Sequence, residues 1–221
     1  YPIVATIHDP SNRLSNYDVI NNPGHLDVVA RVVTIGMNAI DVGRGDAFPS
    51  PTFTYGNLAP GDTVASLGGS PSYGTSATPA SPAGIYAAVP TRGTLNSGNY
   101  SFNFTPTSVT IHPKVLDIRA VWGGKSVSLI GLGRDLPFVN IQALDVIFSD
   151  PVSPPAASAL TLASRSVAGK TYSFASVTAK SSSEYLFNLP TAMGIDSLMA
   201  TIDRTKVAAN FAGQDHQIMI T

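Results

Sequence analysis

Apolar and polar residues alternate along this chain in short runs, each cut off by Gly, Pro, Asn or Ser after about four to eight positions. Phe102 and Phe104, then Val109 and Ile111, fall on one face of two consecutive runs, with Ser, Asn and Thr between them. Val19, Leu26 and Val28, with Asn21 interposed, repeat the arrangement near the start. A period of two places alternate side chains on opposite faces, so these runs predict half-buried antiparallel strands. Asn21-Asn22-Pro23-Gly24 and Thr105-Pro106-Thr107-Ser108 supply the turns. Further strands are predicted at Leu160–Leu162, Thr171–Phe174, Glu184–Leu189, Leu198–Ile202 and Gln217–Thr221, with a short helical turn near Thr191–Ser197. Many short strands divided by Pro, Gly and Ser clusters indicate an all-β chain built of sandwiches.

The pattern is also repeated at long range. Asn16-Tyr17 matches Asn99-Tyr100 at an offset of 83 residues. The same offset carries Val19 to Phe102, Leu26 to Val109, Val28 to Ile111 and Ile35 to Ile118. Upstream the offset becomes 85, pairing Tyr1 with Tyr86, a difference that a loop absorbs. Three segments follow: residues 1–30 as the C-terminal part of one repeat, 31–113 as a complete repeat, and 114–221 as a divergent unit that begins with the repeat's first strand.

Composition narrows what such a chain does. Only 12% of the 221 residues are charged and the formal net charge is −1. Thirteen of the fourteen acids are Asp, with Glu184 the single Glu, and only five of the thirteen bases are Lys. Asp favours turns and caps, whereas Glu and Lys solvate helix faces, so this balance argues against exposed helices. Near neutrality also removes the electrostatic footprint of a nucleic-acid binder. No apolar run approaches the ~20 residues of a helical membrane span. Without cysteine there is no disulfide, thiolate nucleophile or Cys-based zinc site. The chain opens at Tyr1 without Met, which reads as a processed or partial product.

Phe53-Thr-Tyr-Gly-Asn-Leu-Ala-Pro-Gly-Asp-Thr-Val-Ala-Ser-Leu-Gly-Gly69, followed by Ala83-Gly-Ile-Tyr-Ala87 and Leu95-Asn-Ser-Gly-Asn-Tyr-Ser-Phe102, resembles the MBG-type repeat. Such repeats occur in tandem in very large secreted bacterial adhesins and surface proteins. The likeness spans residues 31–113 and, less completely, 1–30. One departure is Gly43-Arg44-Gly45-Asp46, where the family usually has a Tyr-Gly-Asp-type turn. The resemblance implies an Ig-like β-sandwich spacer with no catalytic residues to carry over. Val139–Val152, with Ile147-Phe-Ser-Asp-Pro-Val152 at its end, is similar to a strand and turn of bacterial Ig-like domains in surface-layer and other exported proteins. The stretch 139–207 also resembles C-terminal regions of large secreted planctomycete proteins.

Sites of chemistry are sparse. His8, His25, His112 and His216 fall in no nucleophile elbow, His-Glu-x-x-His helix or close cluster, so surface or turn positions are expected. No catalytic, cofactor-binding or metal-ligating residue is assigned. Arg44-Gly45-Asp46 is the candidate adhesive motif, weighed against a simple Gly-Asp turn at that point of the repeat. Asp9, Asp62, Asp135, Asp145, Asp150 and Asp203 are candidate oxygen donors to calcium at inter-domain loops, although no Asp-x-Asp-x-Asp loop is present. Asn99-Tyr-Ser and Asn103-Phe-Thr fit the glycosylation sequon. Trp122 with Tyr55, Tyr73 and Tyr86 is a candidate carbohydrate platform.

The expected function is therefore mechanical: a non-catalytic segment that spaces or assembles parts of a bacterial cell-surface protein or fibre. Its expected partners are neighbouring repeats of the same or identical chains, including contact by strand addition. The alternative is an adhesin module that recognises a surface polysaccharide or protein through sandwich-end loops. A third reading, an enzyme assembled from Asp and His, requires those side chains to converge in a cleft.

Overall fold

The computed structural model describes residues 1–130, 140–193, 196–203 and 206–207, with the backbone alone for 216–220. It is an all-β chain whose described helical pieces are short 3-10 turns.

Residues 31–112 form two facing sheets. Strands β3 (Arg31–Met37), β5 (Phe53–Gly56) and β8 (Tyr100–Phe104) make one, in the order β5-β3-β8. Strands β4 (Ile40–Gly43), β6 (Ser72–Thr75), β7 (Gly84–Thr91) and β9 (Thr107–His112) make the other, in the order β4-β9-β7-β6. Two of the pairings, β3 with β8 and β4 with β9, are parallel rather than antiparallel. The reason lies in two bends. The chain passes from one sheet to the other at Asn38-Ala39 and again at Thr105-Pro106, and the two crossing ribbons run side by side.

The crossings also divide the apolar interior. Met37, Ile40, Ala88, Val109 and Ile111 bury one cluster, while Val33, Ile35, Leu67, Leu95 and Tyr100 bury another. Phe53 packs against both. Phe102 and Phe104 join the second cluster and Val109 and Ile111 the first, because Thr105-Pro106 carries the chain across between them.

The motif residues of this unit meet at one end of it. The Tyr100 hydroxyl donates to Asp62 and accepts from the Ala59 N–H at 3.0 Å. That bond to Asp62 holds the phenol above its ordinary pKa. Leu67, fully buried beside Tyr100, precedes Gly68 and Gly69, whose φ values are 67° and 149°. A Cβ at these two positions would lie 2.2 Å from the Asn96 carbonyl oxygen and 2.3 Å from that of Thr94. The double glycine therefore permits one loop to lie against another, as well as a backbone that other residues rarely adopt.

Residues 115–220 form the second sandwich, with antiparallel pairing throughout its described strands. One sheet contains β10 (Val115–Trp122), β11 (Lys125–Ser128), β12 (Ile141–Phe148), β15 (Ser176–Ala179) and β16 (Glu184–Met193), ordered β11-β10-β12-β16-β15. The other contains β13 (Leu160–Ser164), β14 (Thr171–Tyr172), β17 (Leu198–Ile202) and β18 (His216–Ile220), ordered β14-β13-β17-β18. A single core joins both, including Ile118, Leu144, Phe148, Leu162, Phe187 and Leu198. The strands expected from alternation are present. Thr191–Met193 is strand and not a helical turn, because β16 runs on to pair Met193 with Ile141 across a bulge. A second bulge falls between Val115 and Asp117. It turns Leu116 outward, although its repeat counterpart Val33 is buried.

Residues 1–30 are different again. Their pairing is limited to β1 (Pro2–Ile3) with β2 (Gly24–His25), and the strand expected around Val19 does not form. Apolar side chains from Tyr1 to Val29 lie open to solvent.

Candidate functional site

Among the described residues a dense polar arrangement links the two sandwiches where β9 passes into β10, and it is built from the turn after β4. Gly43 and Asp46 close that turn: the Asp46 N–H donates to the Gly43 carbonyl at 3.0 Å, and the Gly43 N–H to Asp46 Oδ2 at 3.2 Å. Gly45 takes φ 87° and donates its N–H to the Pro79 carbonyl at 2.7 Å. The Arg44 N–H donates to the His112 carbonyl at 2.9 Å, which fixes the base of its side chain.

From there the Arg44 guanidinium leaves its own unit. Nη1 donates to Asp150 Oδ1 at 2.7 Å and to the Ser149 carbonyl at 2.9 Å, bridging 106 positions of sequence. Asp150 is only 6% exposed, so its charge must be matched locally. The Ala83 N–H, again from the first sandwich, donates to the same oxygen at 3.1 Å. The Ser149 hydroxyl supplies Oδ2 at 2.6 Å. Ser149 in turn fastens the connecting segment, exchanging bonds with the backbone of Lys114 at 2.7 and 2.9 Å. Lys114 pairs through its ammonium with Asp46. Its stem lies over Gly43, where an added Cβ would be 2.9 Å from two of its carbons. His112 Nε2 lies 2.8 Å from Asp41 Oδ1 beside this assembly.

This places the candidate adhesive motif. Arg44 and Asp46 both sit in the seam, each paired to the second sandwich or to the segment that enters it, and Gly45 makes the turn between them. Asp150, read from sequence as a candidate oxygen donor to calcium, accepts here from the Arg44 guanidinium. Sequence reasoning missed Lys114, Ser149 and the Ala83 N–H. The available signal was the departure of Gly43–Asp46 from the family's turn, together with an isolated acid in Ser149-Asp150-Pro151.

The other candidate oxygen donors are dispersed. Asp9 accepts from the Leu14 N–H at 2.7 Å, Asp62 from Tyr100, and Asp203 lies 3.1 Å from Lys206 Nζ. Asp135 is outside the described residues. Among the described residues no three His, Cys, Asp or Glu side chains are gathered to hold an ion. The four aromatics of the candidate carbohydrate platform are divided as well. Trp122 packs on the second core, Tyr55 on one cluster of the first sandwich, and Tyr73 and Tyr86 on the other.

A second charged group lies on the outer side of the second sandwich. Asp145 alternates with Leu144 and Val146, so it faces away from the core, yet it is 2% exposed. Lys180 Nζ donates to Asp145 Oδ2 at 2.7 Å and also to Glu184. Burial, aided by the adjacent Glu184, raises the Asp145 carboxyl above the usual carboxylate value despite Lys180. Lys180 holds Glu184 below its ordinary value. In the opposite sheet the Tyr172 hydroxyl at 2.6 Å, with Ser164 at 2.8 Å, lowers Asp196.

Comparison with known proteins bears on the first sandwich. Residues 33–110 match the family of MBG domains of the YGX type, a non-enzymatic repeat of surface proteins. No curated protein and no solved structure matches the chain. Among the described residues no helix is long and apolar enough to cross a membrane.

Proposed function

We propose that this chain is a non-catalytic structural segment of a bacterial cell-surface protein, which sets the spacing and orientation of the parts attached to it. The observation that carries this reading is the seam: a nearly buried Asp150 in one sandwich takes its counter-charge and a backbone N–H from the other. Residues that only tether two domains need no such pairing, because a flexible linker leaves few contacts across a boundary. In this reading Arg44-Gly45-Asp46 serves as a joint and not as an exposed ligand motif. The surface location is supported by the kind of protein in which MBG repeats occur.

The test is the distribution of distances between the two sandwiches. The chain has no cysteine, so spin labels can be attached at Ser76→Cys and Ser158→Cys, both exposed positions. A narrow distribution is expected, and Arg44→Ala is expected to broaden it while both sandwiches stay folded. An equally narrow distribution in the variant, or a broad one in the parent, would sink the proposal.

A further inference from the structure

The two hairpins related by the repeat share one register and differ in what covers them. In the first sandwich Ala87 pairs with Ser108 and Ala88 with Thr107. At offsets of 85 and 83 these four positions become Pro2, His25, Ile3 and Gly24, and Pro2 pairs with His25 and Ile3 with Gly24. The bond from the Leu26 N–H to the Tyr1 carbonyl, at 2.8 Å, stands at the position of the Tyr86 and Val109 pair. Leu26 and Val28 are 51% and 72% exposed, whereas Val109 and Ile111 are 0% and 2% exposed. Tyr17 is open to solvent where Tyr100 is buried.

The covered hairpin also identifies what does the covering. Met37, Ile40 and Ala77 close over Val109 and Ile111, and Val33, Ile35 and Leu67 close over Tyr100. All six lie in residues 31–85, ahead of the strands they cover. We infer that residues 1–30 are the closing third of a further sandwich, and that their apolar face docks a β-segment patterned like residues 31–85, joined ahead of Tyr1 in the same polypeptide. A second copy of this chain is a poor occupant, because its own residues 31–85 are already committed to Val109, Ile111 and Tyr100.

The experiment joins a copy of residues 31–85 directly ahead of Tyr1 in the full chain and follows amide hydrogen exchange by mass spectrometry. Peptides covering 17–29 are expected to exchange about 100-fold more slowly than in the unextended chain, as two aliphatic side chains pass from water into a core. Leu26→Asp with Val28→Asp in the extended chain is expected to abolish that protection and leave peptides from 100–112 unchanged. Unchanged exchange at 17–29 in an extended chain whose added segment is itself protected would overturn the inference. So would a concentration-dependent dimer of the unextended chain in which 17–29 is protected. A further check needs no added segment: sequencing the native polypeptide ahead of Tyr1 should find the apolar spacing of Val33, Ile35, Met37 and Ile40, and a different pattern would refute the proposal.

Discussion

The two sandwiches bury their apolar residues in different ways. The second has one continuous core reaching from Ile118 to Val207, filled from both sheets. The first has two smaller clusters, separated by its crossing ribbons and joined through Phe53. A large core tolerates irregular edges, including two bulges and an outward Leu116. Smaller clusters place more of the burden on polar pegs and close-packed loops, and the Tyr100–Asp62 bond and the Gly68-Gly69 contact are such devices. Small cores hold less stability in reserve.

The largest expected effects come from cutting each core. Leu144→Ala should cost the second sandwich about 4 kcal/mol, since a rigid, fully enclosed site cannot collapse around the cavity. Ile111→Ala should cost the first about 2–3 kcal/mol, because a smaller cluster relaxes more readily. Denaturant melts of both variants, with a fluorescence or exchange probe in each unit, test the difference. Equal losses would remove the contrast.

Gly69→Ala comes next, at about 2–3 kcal/mol in the first sandwich, from its positive φ and the carbonyl at Thr94. Tyr100→Phe should cost about 1–2 kcal/mol by leaving the Ala59 N–H without its acceptor. Neither change should move the melting of the second sandwich if the two units unfold separately. A joint shift would mean that the seam couples them into one transition.

Much of this was legible in the sequence because strand alternation is a local code. The buried faces of residues 33–37, 109–111 and 160–162 follow directly from period two. The repeat offsets matched Tyr1 to Tyr86 and Leu26 to Val109, and the structure adds that Tyr86 pairs with Val109 as Tyr1 does with Leu26. What could not be read depends on bends and distant neighbours. Nothing in Asn38-Ala39 or Thr105-Pro106 states that the strands on either side join different sheets, so the parallel pairings were missed. The bulge at Leu116 changes which side chain faces inward without changing the apolar pattern. The seam joins Arg44 to an acid 106 residues away, and local spacing carries no trace of that.

The seam supplies a smaller and asymmetric prediction. Arg44→Ala leaves the buried Asp150 with only the Ala83 N–H and the Ser149 hydroxyl, and should cost about 2 kcal/mol. Asp150→Asn keeps the acceptor for Ala83 and lets the half-buried Arg44 turn toward water, and should cost about 1 kcal/mol. Chemical denaturation of both variants decides it, and the reverse order would mean that Asp150 does not depend on Arg44.

The smallest effect is one of pH, and the two sandwich faces of the second unit pull in opposite directions. Asp196 has its folded pKa lowered from 3.8, so its contribution is complete above that value and is lost as pH falls through the folded pKa. Asp145 has its folded pKa raised, so its ionised form carries a burial penalty that is relieved as pH falls toward that raised value. Between neutrality and weak acid only the second change operates, because Asp196 is still ionised in both states. Stability of the second sandwich should therefore rise slightly as pH falls toward the raised Asp145 value, before protonation of the lowered carboxylates Glu184 and Asp196 reverses it. Asp145→Asn removes the titrating group and should flatten that rise while leaving the acid limb set by Asp196. Thermal melts of parent and variant across this range test it, and an identical rise in the variant would assign the effect to another group.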